Sequence, residues 1–343
     1  MNKHIYLRTF FILLFLLCFF ALVAICVGRL SANPVDVYQV ISYKISSKLG
    51  LGPGIDEPLE GMEIALFKIR IPRVLAAIMV GAMLSLSGAV YQGIFRNPLI
   101  SPDILGVSSG ASVGAAAAIL LGLGMVERQF FAFLGGILAV VLATTIPKLL
   151  KNYSNLVLVL SGIIVGGFLT SLLAIMKFVA EEQTELSTIV FWQMGSFSPI
   201  NMKEVGAISP AFLICTFLLL SLSWRINILS FGEVEAKTLG MDVRQIRGIT
   251  IACASFLTAS AVSVCGTIGW IGLVIPHLAR LLVGSDHIKM IPVTVVAGAL
   301  FMLIIDTIAR ATLTVEIPLS ILTGVIGAPC YAWLLYRQRT NVF

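Results

Sequence analysis

The sequence predicts an all-α, polytopic membrane protein with about ten transmembrane helices. Apolar residues make up 58% of the 343 positions and charged residues only 12%, against roughly a quarter in an average soluble domain. The mean hydropathy is +1.02, and apolar stretches long enough to cross a bilayer recur along the chain. This composition excludes a soluble enzyme, a disordered protein and a nucleic-acid binder that relies on net charge.

Ten spans divide the chain, which we interpret as a single transmembrane domain over residues 1–343. The predicted spans are 9–28, 73–95, 106–123, 130–148, 156–178, 207–224, 248–265, 267–284, 292–309 and 319–336. The first span begins as a signal peptide does. Its apolar run from Phe10 to Val27 is too long for a signal core and has no clean cleavage site, so we expect it to be retained.

Basic residues predict the topology, because cytoplasmic loops carry an excess of lysine and arginine. With the N-terminus inside, the inner loops hold 13 basic and 5 acidic residues, and the outer loops hold 10 basic and 12 acidic residues. Both termini are therefore expected in the cytoplasm. The net charge of +6 reports this topology and does not indicate an anionic cargo.

Small residues predict close helix packing, since helices in lipid associate through van der Waals contact at small side chains. Gly110 and Gly114 form one GxxxG pair, and Gly162 and Gly166 form another. The six cysteines lie in apolar stretches without a CxxC pair. We interpret them as core residues rather than metal ligands or disulfides.

No nucleotide-binding or metalloprotease motif is present in the sequence. It contains no P-loop or HExxH pattern, and the chain is not expected to be an enzyme, to bind ATP or a metal, or to carry catalytic residues. Asp306 and Arg310 are four residues apart in the ninth span, where they can pair. His277 is expected to cap a helix or make a hydrogen bond near Arg280, and a catalytic or proton-carrying role is the alternative. Acidic residues in the spans are too few for a proton relay, which disfavours a gradient-driven transporter without excluding it.

Three outer basic residues oppose the topological trend. Lys68, Arg70 and Arg73 precede or begin the second span. They are either interfacial side chains that reach the aqueous boundary or a patch that docks an acidic partner or an anionic substrate.

The predicted cytoplasmic loop 225–247 contains a short amphipathic helix. Glu233 and Lys237 are four residues apart, Ala236 and Leu239 offer a small apolar face, and Gly240 can end the helix. Such a helix either lies at the lipid interface or fits a groove on another protein.

Ordered motifs over about residues 60–337 resemble the FecCD type of permease, the membrane subunits of ATP-binding-cassette importers for iron–siderophore complexes, haem and cobalamin. The matching stretches are Arg70-Ile71-Pro72-Arg73, Val80-Gly81-Ala82, Gln92-Gly93, Arg96-Asn97-Pro98-Leu99, Leu105 to Ala111, Trp192 to Ser196, Gly232-Glu233, Leu239-Gly240, Gly269 to His277, Asp306 to Arg310, Glu316-Ile317-Pro318 and Gly327-Ala328-Pro329.

The resemblance implies a type II ABC importer permease fold and several partners. These are a second permease copy, two cytoplasmic ATPase subunits that carry ATP-Mg, an extracytoplasmic binding protein and the lipid bilayer, with no nucleic acid. The location implied is a bacterial or archaeal plasma membrane. An iron–siderophore cargo is the first expectation. Haem, cobalamin and oxyanions such as molybdate remain open, as does a gradient-driven transporter of a small metal chelate.

Site residues are also implied by the resemblance. Arginines matching Arg70, Arg73 and Arg310 pair with glutamates of the binding protein in the family's cobalamin importers. The implied ATPase-coupling residues are Glu233, Ala236, Leu239 and Gly240, and the implied cytoplasmic gate residues are Asn97, Leu99 and Asn155. The sequence around Asn155 departs from the cobalamin permease. The fifth and tenth spans are expected to line the pathway, and transport is expected to proceed by alternating access.

Overall fold

The computed structural model describes residues 3–28, 34–48 and 57–340, and its regular structure there is entirely helical. Fifteen helices occur in this part of the chain: α1 Lys3–Cys26, α2 Pro34–Lys48, α3 Glu57–Ile64, α4 Ile71–Phe95, α5 Val107–Leu120, α6 Met125–Leu149, α7 Asn155–Val179, α8 Ser187–Met194, α9 Met202–Ser221, α10 Ser223–Phe231, α11 Glu233–Thr238, α12 Val243–Cys265, α13 Ile271–Val283, α14 His287–Ala311 and α15 Leu319–Thr340. A π-helical turn, Ala65–Arg70, joins α3 to α4.

The predicted all-α membrane fold is confirmed. Seven of the described helices are long and apolar enough to cross a bilayer, and three shorter apolar helices, Val107–Leu120, Ile271–Val283 and Leu319–Leu334, bring the set to ten. Each predicted span overlaps one of them. The observed bounds differ where the backbone breaks: α13 begins only at Ile271, because the chain turns at Gly266 and Trp270, both with positive φ.

Helix α4 forms the centre of the bundle and is buried along most of its length. It packs against α12, α13 and α14. The backbones approach so closely that a Cβ atom at Gly81 would collide with the carbonyl of Gly298, and one at Gly88 with that of Gly272. Glycine at these crossings lets α13 and α14 approach α4 closely.

The predicted small-residue packing is confirmed for α5 and α7. A Cβ atom at Gly110 or Gly114 would collide with backbone carbonyls of α6, and one at Gly162 would collide with the carbonyl of Ile104. These contacts bring α5 and α6 together along their length and seat α7 against the segment that precedes α5.

Contacts between loops define the two ends of the bundle. At one end, which we call the outer end after the predicted topology, Arg70 and Arg310 contact the last turn of α1. At the other, the inner end, Asn155 contacts the last turn of α4, and Arg247 contacts the loop before α7. The predicted outer and inner loops therefore lie at opposite ends of the structure.

Candidate functional site

The segment that carries the predicted ATPase-coupling residues, which we call the coupling segment, lies at the inner end as a separate short helix. Helix α11 is set off by Gly232, with φ +158°, and is followed by Gly240, with φ +73°. The amide of Gly240 donates to the carbonyl of Lys237 at 2.9 Å, and that of Met241 donates to Ala236 at 3.0 Å. These two bonds close the helix C-terminus, so Gly240 has the helix-ending position that the sequence predicts.

An ion pair fixes this helix to the bundle. The Glu233 carboxylate pairs with the guanidinium of Arg247 on α12, and Arg247 also donates to the Tyr153 carbonyl at 3.2 Å. The hydrogen bond from Arg247 holds the pKa of Glu233 below its ordinary value, against an opposing effect of partial burial. Glu233 thus pairs with the next helix, although Lys237 lies four residues away in its own helix.

The exposed apolar face of the coupling segment differs from the predicted one. Ala236 is fully buried, while Leu239 is 67% exposed. The prediction that Ala236 and Leu239 share one exposed apolar face is therefore wrong, because Ala236 faces the bundle. Phe231 and Val234 are exposed to similar extents. We call Phe231, Val234 and Leu239 the coupling face.

A second inner contact holds the helix that precedes α11. The amide nitrogen of Asn227 on α10 donates to Asp286 at 2.7 Å, and its oxygen accepts from the backbone of His287 at 2.8 Å. Burial opposes ionisation of Asp286, but the bonds from Asn227 and the Ile288 amide outweigh it and lower the pKa of Asp286. The coupling segment is thereby held between α12 and α14.

The predicted gate residues lie together at the inner end of α4. The Asn155 amide nitrogen donates to the Ile94 carbonyl at 3.2 Å, so the start of α7 is attached to the end of α4. Just beyond, Asn97 accepts from the amide of Leu99 at 2.9 Å, and Leu99 is exposed. The structure brings these segments together, and their gate role stays a prediction.

The outer arginines are buried rather than exposed. Arg73 pairs with Asp306 at 2.7 Å and bonds both carboxylate oxygens of Glu316 at 2.8 and 2.9 Å. Arg310 lies 3.5 Å from the second oxygen of Asp306, which confirms the predicted pair. An arginine between two carboxylates in a low-dielectric setting is a strong structural contact.

Arg70 and Arg310 hold the C-terminus of α1. Arg70 donates to the carbonyls of Ile25 and Cys26 at 2.9 and 3.1 Å, and Arg310 donates to those of Ala24 and Val27. These carbonyls end a helix, where cations are favoured. The expectation of an outward-projecting patch is wrong in this respect: Arg70, Arg73 and Arg310 are 5, 6 and 8% exposed.

The three arginines nevertheless line one outer cavity of about 350 Å³, together with Glu316, Ser198 and Gly28. A docking partner could reach them only by inserting a side chain there. Their docking role remains a prediction.

A cavity of about 420 Å³ with both polar and apolar lining residues lies between helices of the bundle. We call it the polar cavity after its hydroxyl and amide groups. Hydroxyl and amide side chains from α5, α7, α8 and α12 line it, with Asp103 as its carboxylate; its lining residues include Ser109, Thr170, Gln193, Thr258 and Thr267. Asp103 accepts from the Ser108 amide at 2.6 Å and so caps α5. No cationic side chain is among the described lining residues. The cavity therefore offers hydrogen bonds but no positive charge to balance that of an anion.

His277 does not make the hydrogen bond predicted for it. Its ring packs edge-on against Tyr331 at 5.5 Å between centroids. Neither ring nitrogen has a hydrogen-bond partner among the described residues. We find that it serves as packing between α13 and α15.

The chain matches a known protein family and several named permeases. A model of the FecCD transport family matches residues 13–337. The chain belongs to the FecCD transport family. It is 38% identical to the molybdate import system permease protein MolB of Haemophilus influenzae, over 99% of this chain and 98% of that protein. It is 41% identical to a Helicobacter pylori permease named for iron chelatin transport, over 83% of this chain and 86% of that protein.

A solved structure agrees with the fold of this FecCD protein. That structure shows an inward-facing conformation of a transporter described as metal-chelate type; it matches with a TM-score of 0.85 and 38% identity, over 96% of this chain and 99% of that one. The protein is thus a multi-pass membrane permease of an ABC importer. Arg247 and Tyr153 at the inner end were not identified from sequence, because no periodic pattern connects them to Glu233.

Proposed function

We propose that this permease moves an iron–siderophore complex from an extracytoplasmic binding protein into the cytoplasm by alternating access. Two copies would form the pathway and two ATPase subunits would bind the inner end. ATP-Mg would bind those subunits, and the permease itself would hold no cofactor. The orientation follows the positive-inside bias, with both termini in the cytoplasm.

The observation that carries the proposal is the coupling face. Phe231, Val234 and Leu239 expose large apolar side chains on a segment held by the Glu233–Arg247 pair. Exposed apolar side chains at the inner end, on a segment anchored by an ion pair, are suited to contact a partner. Only cargo interactions that differ between the outward and inward states can then bias the cycle.

The polar cavity supports the cargo class. Hydroxyl and amide groups beside one carboxylate accommodate a ligand that is rich in hydrogen-bonding groups and is not a bare anion. A molybdate oxyanion is the second candidate, because the molybdate permease of Haemophilus influenzae matches over 99% of this chain.

Reconstituted vesicles test both cargoes. The complete complex, with its binding protein and ATP, is supplied with a ⁵⁵Fe-labelled siderophore or with ⁹⁹Mo-molybdate. We expect ATP-dependent accumulation of the iron complex. Accumulation of molybdate alone would assign the second cargo, and uptake that needs an ion gradient but no ATPase would instead support a gradient-driven transporter.

A further inference from the structure

A cleft with excess positive charge lies at the inner end between α6 and α12. It has a volume of about 350 Å³, and its polar rim carries Lys148, Lys237, Arg244, Arg247 and Glu233. We call it the basic cleft. Four cationic side chains face one carboxylate there, so the cleft has a net positive charge that favours an anion.

The cations of the basic cleft are incompletely neutralised within the chain. Glu233 pairs with Arg247, yet the Nε atom of Arg247 is buried without a hydrogen-bond partner in the described structure. No described carboxylate lies within ion-pair distance of Lys148, Lys237 or Arg244. Arg244 stacks instead over the Tyr153 ring, 4.8 Å from its centroid. The rim therefore holds donors that a phosphate could satisfy.

The lower part of the basic cleft is apolar. Leu158 and Ile251 are buried along its wall, and a Cβ atom at Gly248 would meet no atom within 4 Å. Leu149 and Leu150, at the end of α6, are exposed. The cleft thus combines a cationic rim with an open apolar groove, at the level where Tyr153 is placed as an interfacial aromatic residue.

We propose that the basic cleft binds the phosphate headgroup of an anionic phospholipid from the inner leaflet, with an acyl chain along Gly248. Basic pockets between transmembrane helices on the cytoplasmic side are suited to anionic headgroups. Free phosphate has the same headgroup chemistry, but it would leave the apolar groove unused. The lipid accounts for both halves of the cleft.

The bound lipid would act on the coupling segment whichever cargo is carried. Arg247 joins α12 to Glu233, and Lys237 belongs to α11 itself. A phosphate between these cations adds a second anion beside Glu233 and thereby fixes α11 to the membrane surface. On the proposed coupling role of this segment, the bound lipid would favour ATPase association.

Native mass spectrometry of the purified full-length permease tests the site. The protein is titrated with phosphatidylglycerol or with phosphatidylcholine of the same chains. We expect at least tenfold tighter binding of phosphatidylglycerol. The double variant Lys148→Gln/Arg244→Gln should weaken it by about 25-fold, at about fivefold per cation near the surface. Arg225→Gln, which removes an exposed arginine outside the cleft, serves as the matched control and should bind as the wild type does.

Two further measurements separate lipid from free phosphate and from misfolding. Gly248→Leu should fill the groove and weaken phosphatidylglycerol at least fivefold, while an unchanged unfolding midpoint shows that each variant is folded. Equal binding of the two lipids, or phosphatidylglycerol binding unaffected by the double variant, would overturn the proposal. Displacement of the lipid by equimolar inorganic phosphate would also overturn it, in favour of the free anion.

Discussion

The two ends of the bundle treat their arginines differently. At the outer end, Arg70, Arg73 and Arg310 are almost fully buried, and each contacts carboxylates or helix-terminal carbonyls of the same chain. At the inner end, Arg244 is exposed without an ion pair in the described structure, and Arg247 pairs with the partly exposed Glu233. Similar residues thus stabilise the fold at one end and remain available to ligands at the other.

The location of a charge in the sequence therefore does not reveal its role. The outer arginines oppose the positive-inside trend, which makes them resemble a docking patch. Contacts within the chain explain these arginines equally well. Asp306 is fully buried and requires Arg73 as its ion-pair partner. Helix α1 is otherwise little buried, so its end requires the hydrogen bonds of Arg70 and Arg310.

Removal of Arg73 should have the largest effect on stability. Arg73→Ala leaves Asp306 as a buried charge without its closest partner, which costs about 3–5 kcal/mol. The free energy of unfolding in detergent measures this loss. Arg225→Ala at the inner end should change it by less than about 0.5 kcal/mol. A stable Arg73→Ala protein that fails only to bind the binding protein would make the arginine a docking residue.

Disruption of the coupling face should abolish ATPase association without unfolding the permease. Leu239→Asp places a charge in the centre of an apolar contact, and central contact residues contribute about 2 kcal/mol or more. We expect at least a 30-fold loss of affinity for the ATPase subunit in a pull-down titration. Met202→Asp alters another exposed apolar residue, at the outer end, and should retain full affinity. Equal loss in both variants would refute the assignment.

Loss of the hydrogen bonds from Arg70 should expose the last turn of α1. Arg70→Ala removes the donors to Ile25 and Cys26, so the helix end should fray. Labelling of Cys26 by a membrane-impermeant maleimide should accelerate several-fold, while Lys203→Ala, which alters another outer cation, leaves the rate unchanged. An unchanged rate in Arg70→Ala would show that α1 is held by other contacts.

Acidification should have the smallest effect on the inner end. The pKa of Glu233 is lowered in the folded protein, so its pairing with Arg247 is complete above the unfolded value of 4.5 and is lost only as the pH falls through the lower folded value. ATPase affinity should therefore stay constant between pH 8 and 5 and decline below that range. Glu233→Gln should remove this component of the decline. A decline beginning near pH 6 in the wild type alone would contradict the assignment.

Sequence patterns predict the features that repeat locally. Hydropathy identifies the ten helices, and the pairs Gly110/Gly114 and Asp306/Arg310 are read from helical spacing. The start of α13 could not be read in this way, because the turn at Trp270 lies within an uninterrupted apolar stretch and depends on close packing against Gly327.

Long-range partners account for what the sequence could not predict. Helical spacing favours Lys237 as the partner of Glu233, yet α12 returns to place Arg247 nearer. Arg73 and Glu316 are 243 residues apart, and no local pattern connects them. The burial of Ala236 likewise depends on how α11 packs against the bundle, because an alanine side chain suits the buried and the exposed side of a helix equally well.

Site-specific photo-crosslinking in the assembled complex tests the division between the two ends most directly. A photoreactive phenylalanine analogue replaces Leu239 at the inner end or Met202 at the outer end. We expect the ATPase subunit to crosslink at position 239 and not at position 202. Crosslinking of the ATPase at position 202, or its absence at position 239 in a complex that hydrolyses ATP, would contradict it.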